Sequence, residues 1–152
     1  MKIAVFPGSF DPITLGHVSI IKRALPLFDK IILAIGVNSN KNYMFNLQER
    51  KESLIHCFEN EPSIIIDTYD GLTVDYCKKM KANYILRGLR VSADFEFERN
   101  IALMNQAMQP SIETVFLISE PKYSAITSTV VRDIIRNKGN VKQFVPSDLG
   151  LV

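Results

Sequence analysis

Residues 6–17 read Phe-Pro-Gly-Ser-Phe-Asp-Pro-Ile-Thr-Leu-Gly-His, and they join an apolar run at residues 3–6 to a segment of helical periodicity that begins at Val18. A short apolar run, a turn rich in glycine and proline and a helix start predict a strand, a phosphate-binding loop and a helix in succession. Gly8 and Gly16 leave room for a ligand close to the backbone, and the two prolines hold the turn open.

The histidine at the end of this stretch is a candidate phosphate ligand. The first amides of the following helix would present unpaired N–H groups and the positive end of the helix dipole to an anion. His17 would lie beside them, where it can donate to a phosphate oxygen. The alternative is an ordinary loop with a helix-capping histidine. The complete spacing from Gly8 to the run Thr14-Leu15-Gly16-His17 favours the phosphate site.

The bulk composition is that of an ordinary globular protein. The 152 residues fit one domain, residues 1–152, and 47% of them are hydrophobic and 22% charged. A net charge of +2 without a run of Lys and Arg argues against binding nucleic acid. Cys57 and Cys77 lie in apolar helical patterns without CxxC spacing, which indicates buried free thiols and a reducing, cytoplasmic location. The sequence also lacks an apolar run long enough for a signal peptide or a membrane span, so no membrane partner is expected.

Five short apolar runs alternate with helical patterns along the chain. The runs are rich in β-branched and aromatic residues and cover Ile3 to Phe6, Ile31 to Gly36, Ile64 to Ile66, Tyr84 to Leu86 and Thr114 to Ile118. Their continuous apolarity predicts strands that are covered on both faces. We therefore predict an α/β fold, a Rossmann-like, doubly wound, five-stranded parallel sheet with strand order 3-2-1-4-5 and helices on both faces.

The helical patterns also predict where helices begin and end. The first helix should end or kink at Pro26, and a capping box at residues 46–49 should start the second. The last should stop at the run Asn137-Lys138-Gly139. The expected apolar faces are Val18, Ile21, Leu25 and Phe28; Leu54, Ile55 and Phe58; Val74, Cys77 and Met80; Ile101, Met104 and Met108; and Val130, Val131, Ile134 and Ile135.

Ligands in such sheets bind beyond the carboxyl ends of the strands, where the strand order reverses, here between strands 1 and 4. The polar loop after strand 2 offers Lys41, although a lone loop lysine is usually a surface charge. Arg87-Gly88-Leu89-Arg90 follows strand 4 and is a stronger signal, because guanidinium forks suit phosphate oxygens and the glycine admits them to the backbone. The alternative is that these arginines pair with Asp94, Glu96 and Glu98.

Two further segments carry polar groups toward the same edge. Glu98 and Asn105 share one helix face, where the carboxylate could accept from ribose hydroxyls or pair with Arg90 or Arg99. After strand 5, residues 127–129 bring three hydroxyls to the start of a helix, which is more than a cap needs. They predict a second phosphate cradle that faces the first. Two cradles around one crevice suit a reaction between two phosphate-bearing substrates.

The run Gly8-Ser9-Phe10-Asp11-Pro12 followed by Thr14-x-Gly16-His17 resembles the T/HxGH signature of the nucleotidyltransferase superfamily. Over nearly its whole length the chain is similar to the bacterial phosphopantetheine adenylyltransferases. The resemblance implies transfer of AMP from ATP to 4′-phosphopantetheine, which gives dephospho-coenzyme A and pyrophosphate in coenzyme A biosynthesis. It also implies a cytoplasmic homohexamer that is subject to feedback inhibition by coenzyme A.

The resemblance divides the site residues between two substrates. For ATP it implies Ser9, Phe10, His17, Gly88, Leu89, Arg90, Glu98, Tyr123, Ser124, Ala125, Ile126, Thr127, Ser128 and Thr129. For phosphopantetheine it implies Ser9, Lys41, Thr73, Arg87 and Asn105. The implied catalytic groups are His17, which would stabilise the transition state, and Lys41 and Arg90.

Four positions depart from the family pattern. Thr127 and Thr129 stand where serine is usual, and both keep the hydroxyl that a phosphate contact needs. Ala125 replaces a commoner aromatic residue, so we expect looser packing around the adenine. Thr73 stands where an apolar residue packs near the pantetheine arm.

The expected mechanism needs no general base, because a phosphate monoester has a second pKa near about 6 and is already an anionic nucleophile. The terminal phosphate of 4′-phosphopantetheine, held by Lys41, Arg87 and Ser9, would attack the α-phosphorus of ATP in line and expel pyrophosphate. His17 would bond the α-phosphate oxygens as charge develops on them. Mg²⁺ would arrive with the triphosphate rather than at a protein metal site. Asp11, the one acid near the first cradle, could serve the metal or stabilise the loop.

Two other functions stay open at this point. Another superfamily member would transfer AMP or CMP to nicotinamide mononucleotide or glycerol phosphate, and a non-catalytic sensor would bind ATP as a signal. The combination of Lys41 with residues 87–90 and 94–98 favours the pantetheine branch, and a sensor would need no transition-state donor such as His17. The segment after Pro146 is shorter than the family leads us to expect, so we expect a final helix to be absent.

Overall fold

The computed structural model describes residues 1–147 and Leu149, and its five parallel strands form one sheet in the order β3-β2-β1-β4-β5. The strands are β1 (Ile3–Gly8), β2 (Lys30–Gly36), β3 (Ile64–Tyr69), β4 (Tyr84–Leu89) and β5 (Glu113–Ile118). The predicted strand order and the Rossmann-like class are therefore confirmed. The expectation about a final helix concerns residues that include 148 and 150–152, which lie outside the described residues.

Five helices connect and cover the strands. They are α1 (Leu15–Ala24), α2 (Leu47–Cys57), α3 (Thr73–Lys79), α4 (Ser92–Met108) and α5 (Ser128–Arg136). Helix α1 gives way to a 3₁₀ turn at Leu25–Leu27 that contains Pro26, as predicted. The capping box before α2 is present, because Asn46 accepts from the Glu49 amide and the Glu49 side chain accepts from the Asn46 amide.

The core lies on both faces of the sheet, as the continuous apolar runs predict. Successive strand residues point to opposite faces, so Leu33 packs with α1 and α2, whereas its neighbour Ile32 packs with Val74 and Cys77 of α3. Both β2 residues are essentially inaccessible. Burial raises the pKa of the Cys77 thiol to about 11, and both cysteines are free.

Several apolar side chains that were expected in the core are exposed instead. Ile55 of α2 and Val130 of α5 are each about half exposed. On α4 the residues Ile101, Met104 and Met108 lie on the solvent side, with Met104 64% exposed. Helical spacing defines an apolar face but does not say what covers it, and α4 lies near the edge of the sheet over β4 and β5.

Strand β3 runs three residues past its apolar run, to Tyr69, and strands β1 and β4 also continue beyond theirs. Strand β1 continues through Gly8, which pairs with Ile35. Strand β4 continues through Leu89, which pairs with Ile118, so residues 87–89 belong to the strand rather than to the loop after it. The prediction ended both strands at the last clearly apolar residue. Backbone pairing with the outer neighbours, β2 and β5, decides where they actually end.

The two central strands separate before either one ends. The described pairing of β1 with β4 stops at Val5 and Ile85, three residues short of Gly8. Beyond that point each strand pairs only with its outer neighbour. The sheet therefore opens at the carboxyl edge between β1 and β4, which is the predicted position for a ligand crevice.

In the described part of the chain, none of the helices is both long enough and apolar enough to cross a bilayer.

Candidate active site

Arg87 bridges the opening between the two central strands. Its Nη1 donates to the carbonyl oxygen of Pro7 on β1 at 2.7 Å. Its Nε and Nη2 bind the two carboxylate oxygens of Glu98 on α4 at 3.0 and 2.6 Å. Pro7 has no backbone N–H, so the separation of β1 from β4 at this residue leaves no amide donor without a partner. The Arg87 side chain therefore links β4 to β1 where their backbone pairing has ended.

Two cavities flank this bridge, one on each face of the sheet. One is lined by residues of α3 and α4, and we call it the α3–α4 cavity; its volume is about 580 Å³. The other is lined by residues of α1 and α5, and we call it the α1–α5 cavity; its volume is about 370 Å³. Five residues line both of them: Pro7, Gly8, Ser9, Lys41 and Arg87. The cavities therefore meet at a junction that carries one hydroxyl and two cations.

The Lys41 side chain reaches this junction from the loop after β2. Its Nζ lies 3.2 Å from Ser9 Oγ, so the predicted lysine and serine are brought together. The lysine is exposed, so its position depends strongly on the loop that carries it. What holds the loop therefore decides where the ammonium group lies.

Asp11 anchors the end of that loop. Its two carboxylate oxygens accept from the amides of Met44 and Phe45, each at 2.9 Å. The residue is only 3% exposed, and Arg132 Nη1 lies 3.9 Å from the carboxylate. Of the two roles that were open for Asp11, the structure supports the stabilisation of the loop.

Arg50 holds the same loop from α2. It donates from Nε to Phe45 O at 3.0 Å and from Nη1 to Ser9 O at 2.9 Å, and its guanidinium lies 3.9 Å from the ring centre of Tyr43. Arg50 is 4% exposed, which is rare for a charged residue unless it is paired in this way. Arg50 therefore connects the loop that carries Lys41, residues 37–46, directly to the turn between β1 and α1, which contains Ser9.

His17 occupies the first turn of α1 and lines the α1–α5 cavity. The amide of Thr14 donates to its Nδ1 at 3.0 Å. Because an amide can only donate, Nδ1 must be unprotonated and the ring hydrogen lies on Nε2. The capping contact, offered above as an alternative to phosphate binding, therefore prepares the other nitrogen as a donor.

The surroundings of His17 also determine its charge state. Burial, together with the positive charges of Arg87 and Arg90, lowers its pKa to about 4. At neutral pH the ring is therefore uncharged and donates through Nε2–H. The positive charge of the site comes from lysine and arginine.

Phe10 shapes the turn between β1 and α1 through its backbone conformation and through the packing of its ring. Its φ of 49° lies in the left-handed region, which is unusual for an aromatic residue. The ring is 3% exposed and its centre lies 5.3 Å from that of His17. A Cβ on Gly8 would come within 3.1 Å of this ring, so the glycine is needed as much for packing as for access to a ligand.

The start of α5 forms the opposite wall of the α1–α5 cavity. Thr127 caps the helix by accepting from the Val130 amide at 3.0 Å. Ser128 Oγ donates to Pro12 O at 2.8 Å, which ties this helix to the first loop. Arg132 adds a second connection, from Nη1 to Asp11 O at 2.8 Å. The two predicted cradles therefore face each other and are joined by hydrogen bonds.

The residues predicted for phosphopantetheine all line the α3–α4 cavity: Ser9, Lys41, Thr73, Arg87 and Asn105. Most of those predicted for ATP line the other cavity: Ser9, Phe10, His17, Gly88, Arg90, Ile126, Thr127, Ser128 and Thr129. Four predicted residues are absent from both linings: Leu89, Tyr123, Ser124 and Ala125.

Glu98 lies in a different place from the one expected for an ATP ligand. It lines the α3–α4 cavity and pairs with Arg87, which confirms for this residue the alternative that the arginines of residues 87–90 pair with nearby carboxylates; its other expected partners were Arg90 and Arg99. Arg90 instead lies 3.2 Å from Asp94, one helical turn away. The side chain of Glu98 points across the crevice because α4 covers β4, and no sequence spacing shows this.

Sequence reasoning also missed Arg50, Arg132 and Tyr69. The two arginines lie in helices, where arginine is normally a surface residue, and so they gave no signal. Tyr69 ends β3 and is followed by Asp70 and Gly71, and these polar and turn residues at a strand end were the available signal.

Comparison with known proteins agrees with this geometry. The cytidylyltransferase-like family model matches residues 5–134. Phosphopantetheine adenylyltransferases from Flavobacterium psychrophilum and Christiangramia forsetii are 55% and 54% identical to the chain over 146 residues, and the alignments cover 96% of this chain and 96% of each relative.

Solved structures show the same fold at lower identity. A bifunctional NMN adenylyltransferase/ADP ribose pyrophosphatase from Francisella tularensis superposes with a TM-score of 0.72 at 20% identity, over 97% of this chain and 45% of that one. The family model, the close relatives and the paired cavities agree, and the chain belongs to the phosphopantetheine adenylyltransferases of the cytidylyltransferase-like family.

Proposed function

We propose that this protein transfers AMP from ATP to 4′-phosphopantetheine and so forms dephospho-coenzyme A and pyrophosphate in coenzyme A biosynthesis. The observation that carries the proposal is the meeting of two cavities at Ser9, Lys41 and Arg87. Two phosphate-bearing substrates can enter from opposite faces of the sheet and place their phosphates at one point. The names of the close relatives specify which two substrates these are.

In this arrangement the acceptor phosphate lies at the junction and its arm lies in the α3–α4 cavity. An oxygen of that phosphate forms a bond to the α-phosphorus of ATP in the α1–α5 cavity. The bond from the α-phosphorus to the oxygen that bridges to the β-phosphorus breaks, and pyrophosphate leaves with the electron pair. Catalysis rests on positioning and on electrostatic stabilisation.

His17 acts as a neutral hydrogen-bond donor in this mechanism. Its Nε2–H would bond an α-phosphate oxygen, and the bond strengthens as negative charge builds there. The nucleophile is already an anion at neutral pH, so the ring accepts no proton. A pKa of about 4 suits this role, because the hydrogen on Nε2 is retained throughout the neutral range.

Arg87 can bind phosphate without giving up its structural bonds. A guanidinium has five N–H groups, and the bonds to Pro7 and Glu98 use three of them. Two N–H groups remain for the acceptor phosphate. We propose that Glu98 positions this arginine, while Lys41 supplies a second, movable positive charge.

We propose that Mg²⁺ enters with ATP, as is usual for nucleotide substrates. The carboxylates of Asp11, Asp94 and Glu98 are each engaged by protein donors. Among the described residues no group of three or more His, Cys, Asp or Glu side chains is arranged to hold a metal ion. These residues do not fit a resident metal site, so we assign no step to a metal bound by the protein.

We also propose that the chain self-associates, as the homohexamer of the resemblance implies. Phe97, Ile101, Met104 and Met108 form an exposed apolar stripe along α4, and their exposures run from 41% to 67%. Such a stripe on a surface helix supports burial against another copy. The two free thiols support a location in the reducing cytoplasm.

The test is an assay of pyrophosphate release from ATP and Mg²⁺ with 4′-phosphopantetheine, and with nicotinamide mononucleotide and glycerol phosphate as parallel acceptors. We expect release with 4′-phosphopantetheine alone. Release with another acceptor would move the function to a different branch of the superfamily. ATP binding without release under any condition would show a sensor instead of an enzyme.

A further inference from the structure

The segment that follows α5 reaches back to the start of α1. The carbonyl oxygen of Phe144 accepts from the amide of Leu15, the first residue of α1, at 2.9 Å. Both residues are described by the structure, and neither lines the α1–α5 cavity or the α3–α4 cavity. The bond therefore lies outside the site, and it can affect the reaction only through other groups.

The position of this segment is fixed by its own contacts. We call residues 141–145 the strap. Val141 and Val145 are 1% and 5% exposed and pack together with Val131 of α5. The carbonyl oxygen of Val141 accepts from the amides of Phe144 and Val145 at 2.9 and 3.2 Å, so the strap forms a tight turn. The Phe144 carbonyl therefore has a defined position before any ligand binds.

The bond to the strap changes what the start of α1 offers to an anion. The sequence predicted that the first amides of this helix would be unpaired. In the structure the Leu15 amide donates to the strap, and the amide of His17 lies 3.4 Å from Thr14 Oγ1. Two of the first three amides of α1 are thus engaged within the protein. The Leu15 amide holds the helix in place and is not available to a phosphate.

A short series of bonds leads from this amide to the ring of His17. The peptide unit between Thr14 and Leu15 is held on both sides, because its N–H donates to the strap and its carbonyl oxygen accepts from the Val18 amide at 3.1 Å. The amide and the hydroxyl of Thr14 in turn contact His17 Nδ1 at 3.0 and 3.1 Å. A displacement of this peptide unit would therefore displace the imidazole as well.

We infer that the strap positions His17 for catalysis, because the Phe144 carbonyl holds the first amide of α1 and so fixes the turn that carries the imidazole. The inference rests on the proposed function, since the role of His17 at the α-phosphate comes from it. Misplacement of a catalytic group by about 1 Å can lower a rate on the order of 100-fold. The strap therefore contributes to the chemical step more than to the binding of either substrate.

The decisive variant is Leu15→Pro, because it removes the amide hydrogen at a position that accepts proline. Proline suits the first position of a helix, and Thr14 already has the extended backbone, with φ −120° and ψ 167°, that a residue before proline prefers. We expect Leu15→Pro to lower kcat by about 10-fold while KM for both substrates stays near the wild-type value. The matched control is Leu15→Ala, which shortens the side chain but keeps the N–H and should keep the wild-type kcat.

A double-mutant cycle with His17→Ala separates positioning of the ring from general damage. If the strap acts through the imidazole, Leu15→Pro should cause no further loss of kcat once the ring has been removed. General damage would instead lower kcat by the same factor with and without the ring. Equal factors in the two backgrounds, or a wild-type kcat in Leu15→Pro, would overturn the inference.

A second variant loosens the strap from its other side. Val141→Ala removes buried contacts with α5 and leaves the Leu15 amide unchanged. It should lower kcat less than Leu15→Pro does, and this loss should also disappear in the His17→Ala background. If Leu15→Pro does not fold, the cycle with Val141→Ala decides the inference, and equal factors with and without the ring would overturn it.

Proton NMR of the histidine rings tests the positioning without an activity assay. The chain contains two histidines, so His56 at the end of α2 is an internal reference. We expect the ring resonances of His17 to shift in Leu15→Pro but not in Leu15→Ala, and those of His56 to stay unchanged in both. Unshifted His17 resonances in Leu15→Pro would overturn the inference. Shifted resonances in a protein that releases no pyrophosphate would refute the proposed function and still support positioning of the ring by the strap.

Discussion

His17 shows how one side chain can serve folding and chemistry at once. Its Nδ1 accepts the Thr14 amide, and this bond places the hydrogen on Nε2 in the cavity. A helix cap and a phosphate donor were competing interpretations of the sequence. In the structure the helix cap uses Nδ1, and the phosphate donor that we propose is the other ring nitrogen, Nε2.

Removal of this donor should affect turnover far more than binding. We expect His17→Ala to lower kcat by about 100- to 1000-fold while KM for both substrates changes little, because the bond strengthens mainly in the transition state. His17→Gln keeps an acceptor for Thr14 and an N–H donor, so it should retain part of the rate. Steady-state assays of pyrophosphate release measure both, and equal losses in kcat and in substrate affinity would contradict the role.

The same residue makes stability depend on pH. The pKa of His17 is about 4 when folded, against 6.5 for an unperturbed histidine. Between these values the unfolded chain binds a proton that the folded chain does not, so the free energy of unfolding falls as the pH drops through this window. We expect a loss on the order of 2 kcal/mol between pH 7 and pH 4.5.

Urea denaturation at both pH values measures this loss. His17→Gln removes the histidine contribution and leaves those of the carboxylates, so wild type should lose more stability than this variant does. Equal losses of stability in the two proteins would show that folding does not lower the pKa of His17.

Asp11 acts on the reaction through the loop it anchors. In Asp11→Asn one of the two acceptors for the Met44 and Phe45 amides is lost, and so is the charge beside Arg132. We expect the free energy of unfolding to fall by about 1–3 kcal/mol. KM for the acceptor should rise more than kcat falls, because the loop carries Lys41.

Denaturation and steady-state kinetics test this prediction together. Asp133→Asn, at an exposed position of α5, makes the same chemical change away from the loop and should match wild type. Wild-type stability and KM in Asp11→Asn would show that the loop is held by other contacts.

At the scale of elements, the start of α5 combines a cap with a cavity wall. Thr127 stands where serine is usual in the family. Its side-chain oxygen still caps the helix. We expect Thr127→Ser to keep wild-type stability and KM for ATP. Thr127→Ala should lower the free energy of unfolding by about 1 kcal/mol and raise KM for ATP as the first turn loosens.

Thermal or urea denaturation and the pyrophosphate assay distinguish the two variants. Because serine and alanine are both smaller than threonine, the comparison isolates the hydroxyl. A Thr127→Ala protein as stable as Thr127→Ser would mean that the cap contributes nothing measurable.

At the scale of the whole molecule, the apolar stripe of α4 should direct assembly. We expect Met104→Glu to shift the protein to smaller species in sedimentation velocity, because it introduces a charge into an apolar contact. Arg99→Gln changes the net charge by the same amount on the opposite face of the same helix and should leave the assembly unchanged. A wild-type protein that sediments as a monomer would refute self-association itself.

Local pattern was enough to predict the main features of the fold. Continuous apolar runs predicted buried parallel strands, and the turns and caps predicted most helix ends, because these depend on neighbours within a few residues. The rule that ligands bind where strand order reverses then predicted which strand ends carry the site. This way of reasoning pointed to His17 and Arg87, whereas Ser9 and Lys41 were assigned through the resemblance to the family.

The sequence by itself thus determined the sheet, its strand order and the residue types at its carboxyl edge. Only the tertiary structure decided that β1 and β4 separate before they end, that Glu98 pairs with Arg87 across the gap, and that His17 is neutral. It also decided that Arg50 and Asp11 hold the Lys41 loop, and that the α4 stripe is exposed. The physical reason is that charge state, ion pairing and burial depend on groups distant in the sequence, and local periodicity carries no record of them.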